Sequence, residues 1–147
     1  MTAIEVAPFA YQDICTLQAR YWRFMDTKDW AGLLGVFAPD AHMSFPGERG
    51  GEAHGAEACV AHIRNTVETA RTVHHGHNPE ITFESPVRAS AIWPMEDIVE
   101  WPDGEPYRGV AALHGWGHYH NRYVCLDDGW RISLTSLTRL RLEVTKA

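Results

Sequence analysis

Apolar residues in the first half of the chain recur every three or four positions, the spacing of an amphipathic helix. The first such stripe consists of Ile14, Leu17, Tyr21, Phe24 and Met25. It predicts a helix over Pro8–Thr27. A second, short helix is predicted over Trp30–Phe37, with Asp29 as its N-cap and the Pro39-Asp40 pair ending it. The chain therefore opens with two consecutive helices.

The remainder of the pattern changes from helical to extended. A short strand at His42–Phe45 and a glycine-rich loop, Pro46–Gly55, precede a third helix predicted over Ala56–Arg71. Three extended segments then follow, Ile81–Trp101, Tyr107–Leu126 and Trp130–Val144. Asp-Gly pairs separate them, which predicts two hairpins and an antiparallel meander. Helices followed by a meander indicate an α+β fold, with the helices on one face of a curved sheet and a pocket between the two layers.

Alternation within the long strands singles out Asp97. The residues in phase with it are apolar: Val87, Ala89, Ala91, Trp93, Met95, Val99 and Trp101. If the strand keeps its register past Pro94, Asp97 is either desolvated and protonated or held by a donor, as functional carboxylates often are. A bulge at Pro94 would instead turn Asp97 to solvent. In the last strand the same alternation places Arg139 on the polar, solvated face.

Composition is that of one ordinary globular domain spanning residues 1–147, with 45% hydrophobic and 22% charged residues. A net charge of −6 with no Lys/Arg run argues against nucleic acid or an anionic membrane, and leaves small molecules and protein partners. The start of the chain has no signal-peptide pattern, so a cytoplasmic location is expected. The three cysteines are widely spaced, which favours reduced thiols.

Nine histidines are heavy usage for this length. His74, His75 and His77 cluster in a segment predicted as a loop before a strand, where a base or a metal ligand is plausible. His114 and the His118-x-His120 pair are in phase on one strand, but they span about 20 Å at strand rise, too far to share one ion. We interpret these three as polar residues at the sheet surface or a subunit contact. No metal and no cofactor is predicted.

Tyr21 and Asp26 lie five residues apart on the first predicted helix, about 140° apart around its axis. They share no strict face, but Asp26 lies near the helix end, where the chain turns. Its carboxylate either points at the pocket or is a solvated helix terminus beside Lys28.

Four segments together carry a family resemblance: RYWRFMDTKDW, HHGHNPEI, AIWPMED and GHYHNRYVCLDDGWRISLTSLTRLR. In order and in identity they resemble the SnoaL-like branch of the NTF2-like superfamily, and within it most closely the bacterial bile-acid dehydratases. The match spans residues 14–142. The resemblance implies an NTF2-like cone, in which three N-terminal helices pack on a strongly curved antiparallel sheet and enclose a pocket. It also implies a homo-oligomer, a trimer more than a dimer.

Carried over by position, the resemblance implies an active-site set of Tyr21, Asp26, His74, Asp97 and Arg139. Scytalone dehydratases and hexachlorocyclohexane dehydrochlorinases are similar in plan, with an Asp-supported His as the base of a cofactor-free elimination. The expected function is a lyase that removes water from a hydrophobic carbonyl compound of steroid or polyketide type. Two alternatives stay open: an isomerase of ketosteroid-isomerase type with Asp97 as base, and a non-catalytic module that binds small molecules.

Overall fold

The computed structural model describes residues 3–47 and 51–147. Its helices are α1 (Ala10–Asp26), α2 (Trp30–Leu34) and α3 (Ala56–Val67). The apolar stripe of α1 faces inward, with Ile14 and Tyr21 almost fully buried. Asp29 caps α2 as predicted, because its Oδ1 accepts a hydrogen bond of 2.8 Å from the backbone N–H of Gly32.

In the part of the chain that the structure describes, seven strands form one curved sheet. They are β1 (Phe37–Ser44), β2 (Glu52–His54), β3 (Arg71–Gly76), β4 (Glu80–Ser85), β5 (Arg88–Glu100), β6 (Val110–Leu126) and β7 (Gly129–Lys146). Their order is β2-β1-β7-β6-β5-β3, with β4 paired to β5 beside β3. The sheet is mixed, because β1 runs parallel to β7 while the other pairs are antiparallel. The α+β fold class is confirmed, and β5, β6 and β7 form the predicted antiparallel meander. The Asp-Gly turns differ from the prediction: the connection around Asp103 and Gly104 is longer, from 101 to 109, and the β6–β7 turn consists of Asp127 and Asp128, since Leu126 pairs with Gly129.

The boundary between α2 and β1 differs from the prediction. The helix expected to reach Phe37 ends at Leu34, and β1 begins at Phe37 rather than at His42. Pro39 and Asp40 thus lie within a strand. They fall where the β1–β7 register shifts, between Phe37 and His42. An irregular stretch of this kind tolerates a proline, which has no N–H to donate to the ladder.

Three further boundaries needed correction. The third helix ends at Val67, and the segment from Arg71, expected as helix end and loop, is strand β3. The long extended segment Ile81–Trp101 is divided into β4 and β5 by a turn at Pro86 and Val87. The predicted loop Pro46–Gly55 contains β2, and its residues 48–50 lie outside the described residues.

The core fills the space between the helices and the concave face of the sheet. Trp22 of α1 packs edge-on against Trp93 of β5, with ring centroids 5.5 Å apart. Below them a buried polar network joins α1 to the sheet, since Gln18 Oε1 accepts hydrogen bonds from Asn121 Nδ2 and Tyr123 Oη. All three cysteines are free thiols. Among the described residues, no helix is both long and apolar enough to cross a membrane.

Candidate functional site

A cavity of about 360 Å³ opens between the concave face of the sheet and helices α1 and α3. Most of its wall is apolar, including Val99, Leu113 and Leu137. Four of the five predicted site residues line it: Tyr21, His74, Asp97 and Arg139. The fifth, Asp26, contacts His74 directly. An apolar cleft with a few convergent polar groups is the usual form of a small-molecule site.

His74 and Asp26 form a hydrogen-bonded dyad. His74 Nδ1 lies 2.6 Å from Asp26 Oδ1, and the His74 side chain is only 5% exposed. Because the carboxylate can only accept, Nδ1 carries the proton and Nε2 is the basic nitrogen of the neutral ring. The backbone N–H of His74 donates to the other oxygen, Oδ2, at 2.9 Å. These two contacts to His74 fix the Asp26 carboxylate relative to β3. Asp26 is therefore not the solvated helix terminus that was the alternative prediction.

A polar chain behind the dyad holds Asp26 in place. Thr72 Oγ1 donates to Asp26 Oδ1 at 2.9 Å and accepts from Lys28 Nζ at 2.9 Å. Burial lowers the pKa of Lys28, and the nearby Asp26 carboxylate partly offsets that shift. Thr72 and His74 are two residues apart on β3, so both side chains point to the same face of the strand. This is the strand that the sequence pattern missed.

Asp97 and Arg139 form a buried bidentate ion pair. Arg139 Nη1 donates to Asp97 Oδ1 at 2.8 Å, and Nη2 donates to Oδ2 at 2.9 Å. The Asp97 side chain is 5% exposed and that of Arg139 is 20% exposed. Of the two situations predicted for a buried Asp97, the structure has the carboxylate held by a donor. The ladder between β5 and β6 keeps its register through Pro94, so no bulge turns Asp97 to solvent.

Arg139 faces the cavity, and its predicted placement on a solvated face was wrong. Two β-bulges in β7 account for the difference. Against β6, Ser133 is an extra residue between Ile132 and Leu134, and Leu140 is an extra residue between Arg139 and Arg141. Each extra residue reverses the alternation of the side chains. Between the bulges, Thr135, Leu137 and Arg139 therefore point inward.

Gly115 makes room for the ion pair, a role that sequence analysis did not assign to it. It pairs with Asp97 in the β5–β6 ladder. A Cβ atom at this position would lie 2.0 Å from Arg139 Nη1 and 2.5 Å from Asp97 Oδ1. Glycine within a strand often marks such a close approach. The HGWGHYH segment carries that signal, because it places two glycines in phase on one strand.

Tyr21 and Tyr119 form a second polar group in the cavity wall. Their rings meet edge to face with centroids 5.9 Å apart, and both side chains are buried. Burial raises the pKa of Tyr119 well above its ordinary value, and the neighbouring Tyr21 and Asp97 raise it further. Tyr119 therefore stays a neutral hydroxyl. Sequence analysis missed it, although it lies in phase with Gly115 on the strand.

Another part of the cavity wall carries aromatic and basic side chains. Trp101 and Tyr107 stack with centroids 5.5 Å apart, and Arg108 lies over the Tyr107 ring at 5.1 Å. Across from them, His62 of α3 also lines the cavity. Burial and the charge of Arg108 lower the pKa of His62. This part of the wall is thus aromatic with the Arg108 guanidinium beside it, and the lowered pKa favours the neutral form of His62.

The other singled-out histidines lie outside the cavity. His75 and His77 are exposed. His114 and His120 project from the outer face of β6, where they bond Glu96 Oε1 at 2.6 Å and Thr138 Oγ1 at 2.8 Å respectively. His118 shares this face, which matches the interpretation as polar sheet-surface residues.

Comparison with known families now identifies the fold. A family model for the SnoaL-like domain matches residues 10–136. The chain belongs to the SnoaL-like family. This SnoaL-like domain is also 26% identical to Probable cyclase FGR4 of Gibberella zeae, over 93% of the chain and 95% of that protein.

Solved structures share the NTF2-like architecture of this SnoaL-like domain. A type 2 hexachlorocyclohexane dehydrochlorinase (LinA) superposes with a TM-score of 0.80 at 18% identity, covering 94% of this chain and 90% of the other. The Kfla4162 protein from Kribbella flavida gives 0.81 at 23% identity, covering 91% and 93%. A candidate scytalone dehydratase from Novosphingobium aromaticivorans gives 0.75 at 20% identity, covering 93% and 88%. These likenesses confirm the predicted fold.

Proposed function

We propose that this protein is a cofactor-free lyase that eliminates water from a hydrophobic carbonyl compound, with His74 as the base. The observation that carries the proposal is the 2.6 Å contact between His74 Nδ1 and Asp26 Oδ1 at the wall of an apolar cavity. A general base needs a second group that orients it and stabilises its protonated form. Asp26 is suited to both tasks as a positioning residue.

The elimination can be written in two steps. His74 Nε2 takes the proton from the carbon next to the carbonyl, and the electron pair of the broken C–H bond moves onto the carbonyl oxygen as an enolate. The pair then returns to form the C=C bond while the C–O bond to the β-hydroxyl breaks. The imidazolium gives its Nε2 proton to the leaving oxygen, so water departs and His74 is neutral again. No external oxidant or reductant is needed.

The enolate oxygen requires a donor, and Tyr21 and Arg139 are the groups we assign to it. Both line the cavity together with His74. Preorganised donors in a site of low dielectric stabilise developing negative charge strongly. Asp97 accepts from Arg139 through both of its oxygens. We therefore assign Asp97 to positioning Arg139 rather than to acid or base chemistry, which leaves the isomerase alternative with less support.

The comparisons support lyase chemistry as a class. Similar proteins include a hexachlorocyclohexane dehydrochlorinase, a candidate scytalone dehydratase and the Probable cyclase FGR4. A cavity of about 360 Å³ falls in the range that encloses drug-sized ligands. We propose a substrate of steroid or polyketide type, in line with the resemblance to bile-acid dehydratases. The expected trimer stays a prediction that light scattering in solution would test.

A substrate panel tests the proposal. Hydroxylated oxo-steroids, phenolic polyketides and simple β-hydroxy ketones are incubated with the protein, and products are identified by mass spectrometry. Loss of one water supports the lyase. A product of unchanged mass with a shifted double bond would indicate the isomerase. Ligands that raise the melting temperature without any product would indicate a binding module.

A further inference from the structure

Three metal-ligating side chains meet on the outer face of the β1–β2 pair, away from the cavity. Within residues 3–47 and 51–147, His42, Glu52 and His54 are the group whose ligand atoms all lie within 4.8 Å of one another. His42 Nε2 is 2.8 Å from Glu52 Oε2. The His42 and His54 rings are stacked, with centroids 4.3 Å apart and planes 13° apart. The proposed elimination uses none of these residues.

The backbone register brings the three together. His42 pairs directly with His54, and Ser44 pairs directly with Glu52, in the antiparallel β1–β2 ladder. Between these pairs, Met43 and Ala53 are buried in the core. Because side chains alternate along a strand, the residues on either side of Met43 and Ala53 must point outward on one face. The cluster is therefore built by strand pairing.

The donor set suits a first-row transition metal. Two imidazoles and one carboxylate bind Zn²⁺ in many catalytic sites, with water completing the coordination. Two ligands on one tetrahedral Zn²⁺ lie about 3.4 Å apart, given metal–ligand bonds of about 2.1 Å. His42 Nε2 and Glu52 Oε2, now 2.8 Å apart, would therefore move apart by about 0.6 Å on binding the ion. A metal ion would replace the proton that the two atoms now share.

A supporting contact orients the carboxylate. Ser44 Oγ donates to Glu52 Oε1 at 3.0 Å, which leaves Oε2 for the proposed ion. Hydrogen bonds of this kind to a metal-binding carboxylate are typical of protein metal sites. We propose that His42, Glu52 and His54 form a binding site for a divalent transition metal of the Zn²⁺ class, which ties the short edge strand β2 to β1. The sequence prediction of no metal did not anticipate it, since the ligands come from two strands.

Calorimetric titration of the full chain with zinc chloride tests the site. The proposal predicts one tight Zn²⁺ equivalent, weakened at least about tenfold in His54→Gln and in Glu52→Gln. The matched control is His118→Gln, which removes an outer-face histidine of β6 and should leave binding unchanged. Both substituted ligands lie on an exposed face, so circular dichroism should show native folds. Ser44→Ala should weaken binding by about tenfold without removing a ligand.

A thermal-shift experiment adds a readout that does not depend on the heat of Zn²⁺ binding. At one Zn²⁺ concentration, the rise in melting temperature should be equal for the wild type and His118→Gln and clearly smaller for Glu52→Gln. Mg²⁺ and Ca²⁺ should have no such effect, because they prefer sites made wholly of oxygen ligands. Absence of Zn²⁺ binding, or equal binding in His54→Gln, would overturn the proposal. Equal binding would assign Zn²⁺ to other ligands, such as the Cys15 and Cys125 thiols that this variant retains.

Discussion

His74 and Asp97 face each other as a pair in the β3–β5 ladder, but their side chains bind partners from different parts of the chain. His74 binds Asp26 at the end of α1, and Asp97 binds Arg139 of β7. The wall of the cavity thus places an imidazole beside a compensated ion pair. The His74 imidazole and the Arg139 guanidinium therefore line the same wall, and each nearby carboxylate already has a partner.

Replacing Asp26 with Asn should impair His74 without displacing it. The expected result is a kcat at least about 100-fold lower with little change in KM, because Asp26 acts through the imidazole. Nitrogen NMR of the imidazole provides a readout that needs no substrate, since His74 should lose its preference for the Nδ1-protonated form. Asp13→Asn, at an exposed carboxylate on the same helix, is the control. Equal kcat in both variants would remove Asp26 from the mechanism.

Removing one partner of the Asp97–Arg139 ion pair should lower the unfolding free energy strongly. Arg139→Leu leaves a carboxylate that is only 5% exposed without its guanidinium, a change worth about 3–5 kcal/mol of unfolding free energy. Urea unfolding measures it. The double variant with Asp97→Leu should be less destabilised than the sum of the two single variants, because neither charge then remains buried alone. Strict additivity would show that the two side chains do not depend on each other.

Gly115→Ala should displace Arg139. The new Cβ would lie within 2.0 Å of Nη1, and overpacking of this kind costs about 1–3 kcal/mol. Both turnover and the unfolding free energy should therefore fall in this variant. The control is the same substitution in an Asp97→Ala, Arg139→Ala double variant, where the two nearest atoms have gone and the cost should nearly vanish. A cost that persists in this background would attribute the effect to the strand backbone.

His62 should titrate below its ordinary pKa near 6.5, because burial and the Arg108 charge both disfavour imidazolium. Proton NMR of the ring measures this, and Arg108→Gln should raise the pKa. The unfolded chain binds the proton more readily, so the stability that neutral His62 contributes is present above about pH 6.5 and is lost as pH falls through the folded-state pKa. His62→Gln should remove that loss. A wild-type pKa above 6.5 would contradict the assignment.

The sequence predicts a site residue correctly where its strand keeps a regular register, and fails where the strand contains bulges. Asp97 lies on a strand that keeps its register, so alternation alone placed it correctly among buried apolar residues. Arg139 lies between two bulges in β7, which no spacing rule predicts, since a bulge is decided by how neighbouring strands fit. Only the family resemblance placed Arg139 in the pocket.

The His74–Asp26 dyad shows a second limit of prediction from the sequence. Helical spacing continues through Ala70, which extended the predicted third helix over the start of β3 and left His74 in a loop. Pairing with β5 decides the strand, and that partner lies some twenty residues later in the chain. Tyr119 and Gly115, in contrast, lie in phase on the regular strand β6, so alternation alone is enough to place them on the same face as each other, opposite the outward-facing histidines.

Two adjacent histidines, His74 and His75, allow the most direct test of His74 as the base. His74→Gln and His75→Gln are compared for turnover of the best substrate from the panel, with thermal unfolding to establish that both fold. His74 binds Asp26 at the cavity wall, whereas His75 is exposed. Dehydration should be lost in His74→Gln, and His75→Gln should keep wild-type turnover. Dehydration that survives in a folded His74→Gln protein would contradict it.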